Sequence, residues 1–177
     1  VACETQLDAL LDTYQTTTLY LEPLNHFPVV RDLVVDFAPV EKGMRKVDAW
    51  LCPSKERRDH LQSEADFHKI AKPADCILCG VCVSECRELA YDDGTYLPPA
   101  MMNKAYRFER DSRDGERGKR VLAALKNNLW KCIHCEQCSS KCPKKIPVAD
   151  EVSYLRRRAI ALGETKSEGA RHAVSFY

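Results

Sequence analysis

One motif, used twice, constrains this chain more than any other feature. Cys76-Ile77-Leu78-Cys79-Gly80-Val81-Cys82-Val83-Ser84-Glu85-Cys86 and Cys132-Ile133-His134-Cys135-Glu136-Gln137-Cys138-Ser139-Ser140-Lys141-Cys142 both read C-x2-C-x2-C-x3-C, and Pro143 follows the second. These two groups hold eight of the chain's 10 cysteines. A disulfide framework scatters its cysteines to suit bridge geometry. Neighbours three or four positions apart suit a small metal centre instead, and metal thiolates fit a reducing compartment.

The spacing has a mechanical reading. Three thiolates separated by two residues wrap a loop round one face of a metal–sulfur cube. The fourth, set three residues further on, starts a helix and points away, so it reaches the other centre. The expected sets are therefore crossed: Cys76, Cys79, Cys82 and Cys142 for one [4Fe–4S] cluster, and Cys132, Cys135, Cys138 and Cys86 for a second. Four thiolates also satisfy tetrahedral Zn²⁺, but zinc sites show two separated C-x2-C pairs rather than a triple plus a fourth. Cubane clusters exchange single electrons, and no acid, base or nucleophile constellation accompanies the cysteines. The reading is a wire, not a catalyst. His134 is expected to tune the site rather than ligate, because the thiolates are already complete.

The rest of the chain narrows the class. Its 177 residues carry a net charge of only +1, so no field of one sign is available to hold nucleic acid. No apolar run reaches the ~18 residues of a membrane span, and the opening residues show no signal-peptide pattern. Residues 1–40 read as β-rich and loop-like, with a run at Thr16–Leu21 that stops at Pro23 and another from Val29 to Phe37. The pattern turns helical from about Met44, and Pro53 to Ile70 is polar. Pro98 and Pro99 suit the first turn of a helix carrying Met102, Ala105, Tyr106 and Glu109. Val121, Leu122, Leu125 and Leu129 stripe a second. A third begins at Pro147 and meets Gly163 where a cap belongs. The tail from Glu164 reads as small, polar and poorly ordered. Met101 and Met102 read as core, Cys52 as a packed thiol, and Arg156-Arg157-Arg158 as a solvated helix face.

The motif order and its surroundings resemble the iron–sulfur subunit of succinate dehydrogenases and fumarate reductases. Leu21-Glu22-Pro23-Leu24-Asn25-His26-Phe27-Pro28 and the Val29–Asp36 segment after it resemble a signature that in the family links two ferredoxin domains. Ala105-Tyr106-Arg107-Phe108 and Asp111-Ser112-Arg113-Asp114 resemble the helix between the two motifs. The resemblance implies a mainly α fold. A helical ferredoxin domain with two cubane clusters would span 40–163. The C-terminal remnant of a β-grasp plant-type ferredoxin domain and a linker would precede it at 1–39, and a tail would follow at 164–177. It also implies a role as the non-catalytic electron-transfer subunit of an oxidoreductase. An FAD-containing flavoprotein subunit would lie on one side and a quinone-reactive membrane-associated subunit on the other. The complex would sit peripherally on the energy-conserving membrane, on its cytoplasmic side.

Three departures from the family's pattern carry expectations of their own. Val1-Ala2-Cys3-Glu4-Thr5 resembles the end of the family's [2Fe–2S] domain, which makes Cys3 that cluster's last ligand or a lone thiol. The other three ligands would then come from a longer protein or from another chain. Cys135 stands where the family usually has no cysteine and a [3Fe–4S] cluster, so a fourth iron is expected here. Arg87, Ala90, Tyr91 and Ile133 occupy the family's quinone-site positions and match none of them. That points to an atypical third subunit, cysteine-rich and heterodisulfide-reductase-like. Other readings are the small cluster subunit of a heterodisulfide-reductase-type complex, a free two-cluster ferredoxin, which would need far fewer residues, and a zinc module.

Overall fold

The computed structural model describes residues 6–55 and 61–175; Cys3 lies outside them. Helix α1 (Leu7–Tyr14) opens the described chain and buries no residue. This corrects the β-rich reading of residues 1–40. Leu7, Leu10 and Leu11 repeat at helical spacing, a period that the following β-branched run obscures. Thr16–Leu21 forms no strand, and Tyr20 stands 91% exposed. A β-branched run is stabilised by cross-strand neighbours, and among the described residues none pairs with it.

The run from Val29 to Phe37 is split. Strands β1 (Val29–Arg31) and β2 (Val34–Val35) pair antiparallel, because Asp32 between them takes a left-handed φ of 50°, which Asp tolerates better than most residues. Phe27 folds back on Phe37, ring centroids 5.0 Å apart. Helix α2 (Ala38–Lys46) follows, with Pro39 in its first turn. It begins earlier than the turn to helical pattern at Met44 suggests.

Helix α3 (Glu64–Ala74) is capped by Ser63, whose hydroxyl accepts from Asp66 N at 3.1 Å. Two short helices sit inside the cysteine motifs, α4 (Val81–Ser84) and α7 (Gln137–Ser140). The remaining helices are α5 (Pro99–Arg110), α6 (Arg117–Lys126), α8 (Val148–Ala161) and α9 (Glu168–Val174).

Helix α5 is the axis of the molecule, packed against α3, α6 and α8. Met101, Met102, Ala105, Val121, Val152, Leu155 and Ala159 are at most 1% exposed and form its seams. Helix α2 crosses α5 at Gly43, where a Cβ would come within 2.7 Å of Met101 Cγ. Only a residue without a side chain permits that approach.

The predicted end of α8 holds in detail. Gly163 takes φ +94°, its N–H donates to Ile160 O at 2.9 Å, and Glu164 N–H donates to Ala159 O at 3.1 Å. This is the paired C-terminal arrangement that a left-handed glycine allows. As far as Ser175 the tail beyond it is ordered, unlike the sequence reading. Ser167 caps α9, and Ala170 is fully buried against the body of the protein.

The Asp-Ser-Arg-Asp segment is a polar hinge. Asp111 is fully buried and accepts from Arg107 at 2.7 Å and from Arg113 at 2.8 Å. Asp114 accepts from Cys52 N at 3.1 Å, Glu116 N at 2.7 Å and Arg120 at 3.0 Å. These bonds tie the strap around Cys52 and Pro53 to the start of α6. Cys52 itself is a half-buried free thiol.

Candidate metal centres

The two cysteine motifs fold alike. In the first, Leu78 (φ 55°) and Gly80 (φ 79°) are left-handed; in the second, the equivalent His134 (φ 57°) and Glu136 (φ 60°) are too. Each motif then enters one helical turn, α4 or α7. Val83 N and Ser84 N donate to Gly80 O at 3.0 and 2.9 Å, and Ser139 N and Ser140 N donate to Glu136 O at the same two distances. Left-handed steps between right-handed ones gather backbone N–H groups into a concave nest that favours anions. For Leu78, His134 and Glu136 this backbone costs about 1–2 kcal/mol each relative to the ordinary helical region, so the surroundings must hold it.

Each motif contributes to both of two cavities. Cys76, Cys79 and Cys82 line the first, together with Cys142 from the second motif. Cys132, Cys135 and Cys138 line the second, together with Cys86 from the first. Counted out to open solvent, the space around the thiols is about 420 Å³ in one and about 380 Å³ in the other. Among the described residues no three His, Cys, Asp or Glu side chains converge on a single-ion position. Burial, then the neighbouring Cys76, pushes the Cys82 thiol up; burial also raises Cys86, and Cys138 to about 11. Buried thiols around one space repel as thiolates, and a polynuclear cation that binds them removes their protons. All-sulfur donor sets, matched space and anion-favouring backbone fit an iron–sulfur cube.

The cavities share a wall. On α5, Pro99 lines the second cavity while Ala100 and Asn103 line the first. On α8, Val148 lines the first while Ala149 and Val152 line the second.

Several supporting residues were not legible in the sequence. Tyr96 is 4% exposed and lines the second cavity with its hydroxyl against Cys132. Burial and the adjacent Cys132 and Cys86 push its ionisation up, so it stays a protonated phenol beside sulfur. Arg156 donates to the carbonyls of Leu129, Trp130 and Cys132, and its guanidinium lies 5.2 Å from the Trp130 ring. Arg158 pairs with buried Glu109 at 2.9 Å. Of the three arginines read as a solvated face, only Arg157 is exposed. A run of charges shows nothing of its distant carbonyl and carboxylate partners.

His134 is used as a brace. Its Nε2 sits 3.0 Å from Ala149 O and 2.7 Å from Ser153 Oγ, holding the second motif to α8. The linker segment serves the first motif: Asn25 N donates to Ser84 Oγ at 3.0 Å, and Leu24 and Phe27 press on Gly80. Arg87, Ala90, Tyr91 and Ile133 all lie exposed, Tyr91 at 92% and Ile133 at 59%.

Comparison with known proteins places this site in a family. A model described as a 4Fe-4S dicluster domain matches residues 72–146. The iron–sulfur subunit of 8-methylmenaquinol:fumarate reductase from Wolinella succinogenes is 35% identical over all of this chain and 57% of its own length. A mitochondrial succinate dehydrogenase iron–sulfur subunit from Oryza sativa is 33% identical, over 88% of this chain and 51% of its own length. The chain thus spans little more than half of these two relatives. The succinate dehydrogenase iron–sulfur subunit of Coxiella burnetii is 32% identical over 94% of this chain and 69% of its own length. In fold, the chain is similar to one from the Mycobacterium smegmatis Sdh1 complex, with a TM-score of 0.71 at 21% identity, over 82% of this chain and 63% of that one. The protein belongs to the iron–sulfur subunits of succinate dehydrogenases and fumarate reductases.

Proposed function

We propose that this chain carries single electrons through two [4Fe–4S] clusters between an FAD-containing flavoprotein subunit and a quinone-reactive subunit. Cys76, Cys79, Cys82 and Cys142 would hold the first cluster, and Cys132, Cys135, Cys138 and Cys86 the second. The observation that carries this reading is the exchange of fourth cysteines between two cavities of matched size. Bound there, the clusters would supply one-electron steps between two-electron flavin and quinone chemistry. The protein's own part is to fix the thiols, bury them, and aim backbone N–H groups and the Tyr96 hydroxyl at sulfur.

The family likeness supports a complex at a membrane, with this chain docked peripherally on the cytoplasmic face. No described helix is long and apolar enough to cross a membrane. The exposed Arg87, Ala90, Tyr91 and Ile133 would face the quinone-reactive partner. Their departure from the usual quinone positions favours a cysteine-rich, heterodisulfide-reductase-like third subunit. The name of the Wolinella relative suggests fumarate and a methylated menaquinol as the terminal couple. Cys3 would close a [2Fe–2S] centre whose other ligands lie outside this sequence. A heterodisulfide-reductase-type small subunit is not favoured, since the relatives that match are dehydrogenase and fumarate reductase subunits.

Iron analysis with EPR of oxidised and dithionite-reduced protein tests the reading. Two reducible four-iron signals support it. A zinc-loaded, EPR-silent protein, or a strong three-iron signal when oxidised, overturns the assignment.

A further inference from the structure

A buried polar pair joins α5 to α8 beside the first cavity, with no part in the scheme above. Asn103 of α5 and Glu151 of α8 face each other, 1% and 3% exposed. The Asn103 amide nitrogen donates to both carboxylate oxygens of Glu151, at 3.2 and 3.0 Å. The other end of the amide, Oδ1, is buried without a hydrogen-bond partner. Asn103 also lines the first cavity. It therefore lies between a carboxylate and the space enclosed by Cys76, Cys79, Cys82 and Cys142.

A carboxylate held by one amide in a dry wall is poorly stabilised as an anion. Burial raises Glu151 to about 7, while the Asn103 bond and Lys104 act against it and Asp150 acts with it. The titratable groups that act on it are Lys104 and Tyr106 of α5 and Asp150 of its own helix. Its two protonation states ask for opposite orientations of the amide. Ionised Glu151 needs the amide N–H groups and strands Oδ1. Protonated Glu151 can donate to Oδ1 once the amide turns over, which frees the N–H groups for an acceptor in the cavity.

We propose that Asn103 and Glu151 form a redox-linked proton site: when the centre held by Cys76, Cys79, Cys82 and Cys142 gains one electron, Glu151 takes up one proton and Asn103 turns its amide N–H groups toward that centre. The electron comes from a reduced flavin-class donor and the proton from bulk water. The Glu151 O–H bond is the only covalent bond formed, and reoxidation returns both particles. The inference rests on the first cavity holding a cluster. Added negative charge nearby favours the neutral acid, and N–H donors to sulfur favour the reduced state. The coupling is reciprocal: protonation aids reduction by the factor by which reduction aids protonation. Below about pH 7 Glu151 already carries its proton, so uptake on reduction begins above that pH.

The test is an EPR-monitored redox titration of the intact, cluster-loaded complex between about pH 6 and pH 9. The first centre should become tenfold harder to reduce per pH unit above about 7, ~59 mV for one electron. The second centre should stay nearly flat, as an internal reference. Glu151→Gln should remove the slope and hold the potential at the low-pH value. Reduced-minus-oxidised infrared spectra above pH 7 should show a carboxylic acid C=O band in the unmodified protein. If Glu151→Gln does not assemble, that band alone decides: its appearance supports the coupling and its absence overturns it. A reducible first centre with a flat potential, or a slope that survives Glu151→Gln, overturns the coupling alone. Absence of any reducible signal from the first cavity overturns the cluster reading and the coupling with it.

Discussion

Gly80 and Glu136 occupy the same step of the two cysteine motifs and the same left-handed backbone region, φ 79° and 60°. Their surroundings differ. At Gly80 a Cβ would lie 3.0 Å from Leu24 Cδ1 and 3.2 Å from Phe27 Cζ, whereas Glu136 already carries a side chain there. Gly80→Ala should therefore combine backbone strain with crowding and cost about 1–3 kcal/mol. It should lower the melting temperature and deplete the first centre's EPR signal. Glu136→Gly should leave both within about 1 kcal/mol of the parent.

In the proposed scheme Tyr96 would act on the second centre through its hydroxyl, which lies against Cys132. Tyr96→Phe keeps the ring in its buried place and removes the donor beside Cys132. The midpoint potential of the second centre should fall, by a bond worth on the order of 1 kcal/mol, or a few tens of millivolts. The first centre should be unaffected. A redox titration that shows no difference between the centres would reject this role.

Under the proposed ligand set, Cys135 would decide how many irons the second centre keeps. Cys135→Ser should weaken one corner of the cube and yield a three-iron signal in the oxidised protein, with less iron per chain. The first centre's signal serves as the standard.

The Arg120–Asp114 pair is a stability element remote from both cavities, with side chains 1% and 0% exposed. Arg120→Ala leaves Asp114 buried without its cation, although Cys52 N and Glu116 N still donate to it. A loss of about 3–5 kcal/mol is expected, seen as a lower unfolding midpoint with the spectra of the two centres retained. Arg120→Met with Asp114→Asn should recover part of the loss, since it removes both charges together and keeps an oxygen acceptor for one of the two backbone donors.

What the sequence made legible is what depends on local spacing. The cysteine intervals marked both loops, Pro98-Pro99 marked the start of α5, and Gly163 marked the end of α8. These signals act within a turn or two of chain. The arrangement of Tyr96 against Cys132, Arg156 against three carbonyls, and Asn103 against Glu151 joins residues 24 to 48 positions apart, and no local pattern encodes it. The misread segments have two different causes. Leu7–Tyr14 was hidden by the β-branched run after it. The tail gave no sign of α9, because its burial rests on Gly169, where a Cβ would come within 2.7 Å of the Trp130 indole ring.

The shared wall sets a length scale. Pro99 and Ala100 are consecutive residues that face opposite cavities, and so are Val148 and Ala149. A charge moving between the proposed centres would cross a wall in which neighbouring residues of one helix face opposite sides. With clusters bound, α5 and α8 would act as a spacer that cannot widen without unpacking the core, which would leave the surrounding polar groups to adjust the driving force.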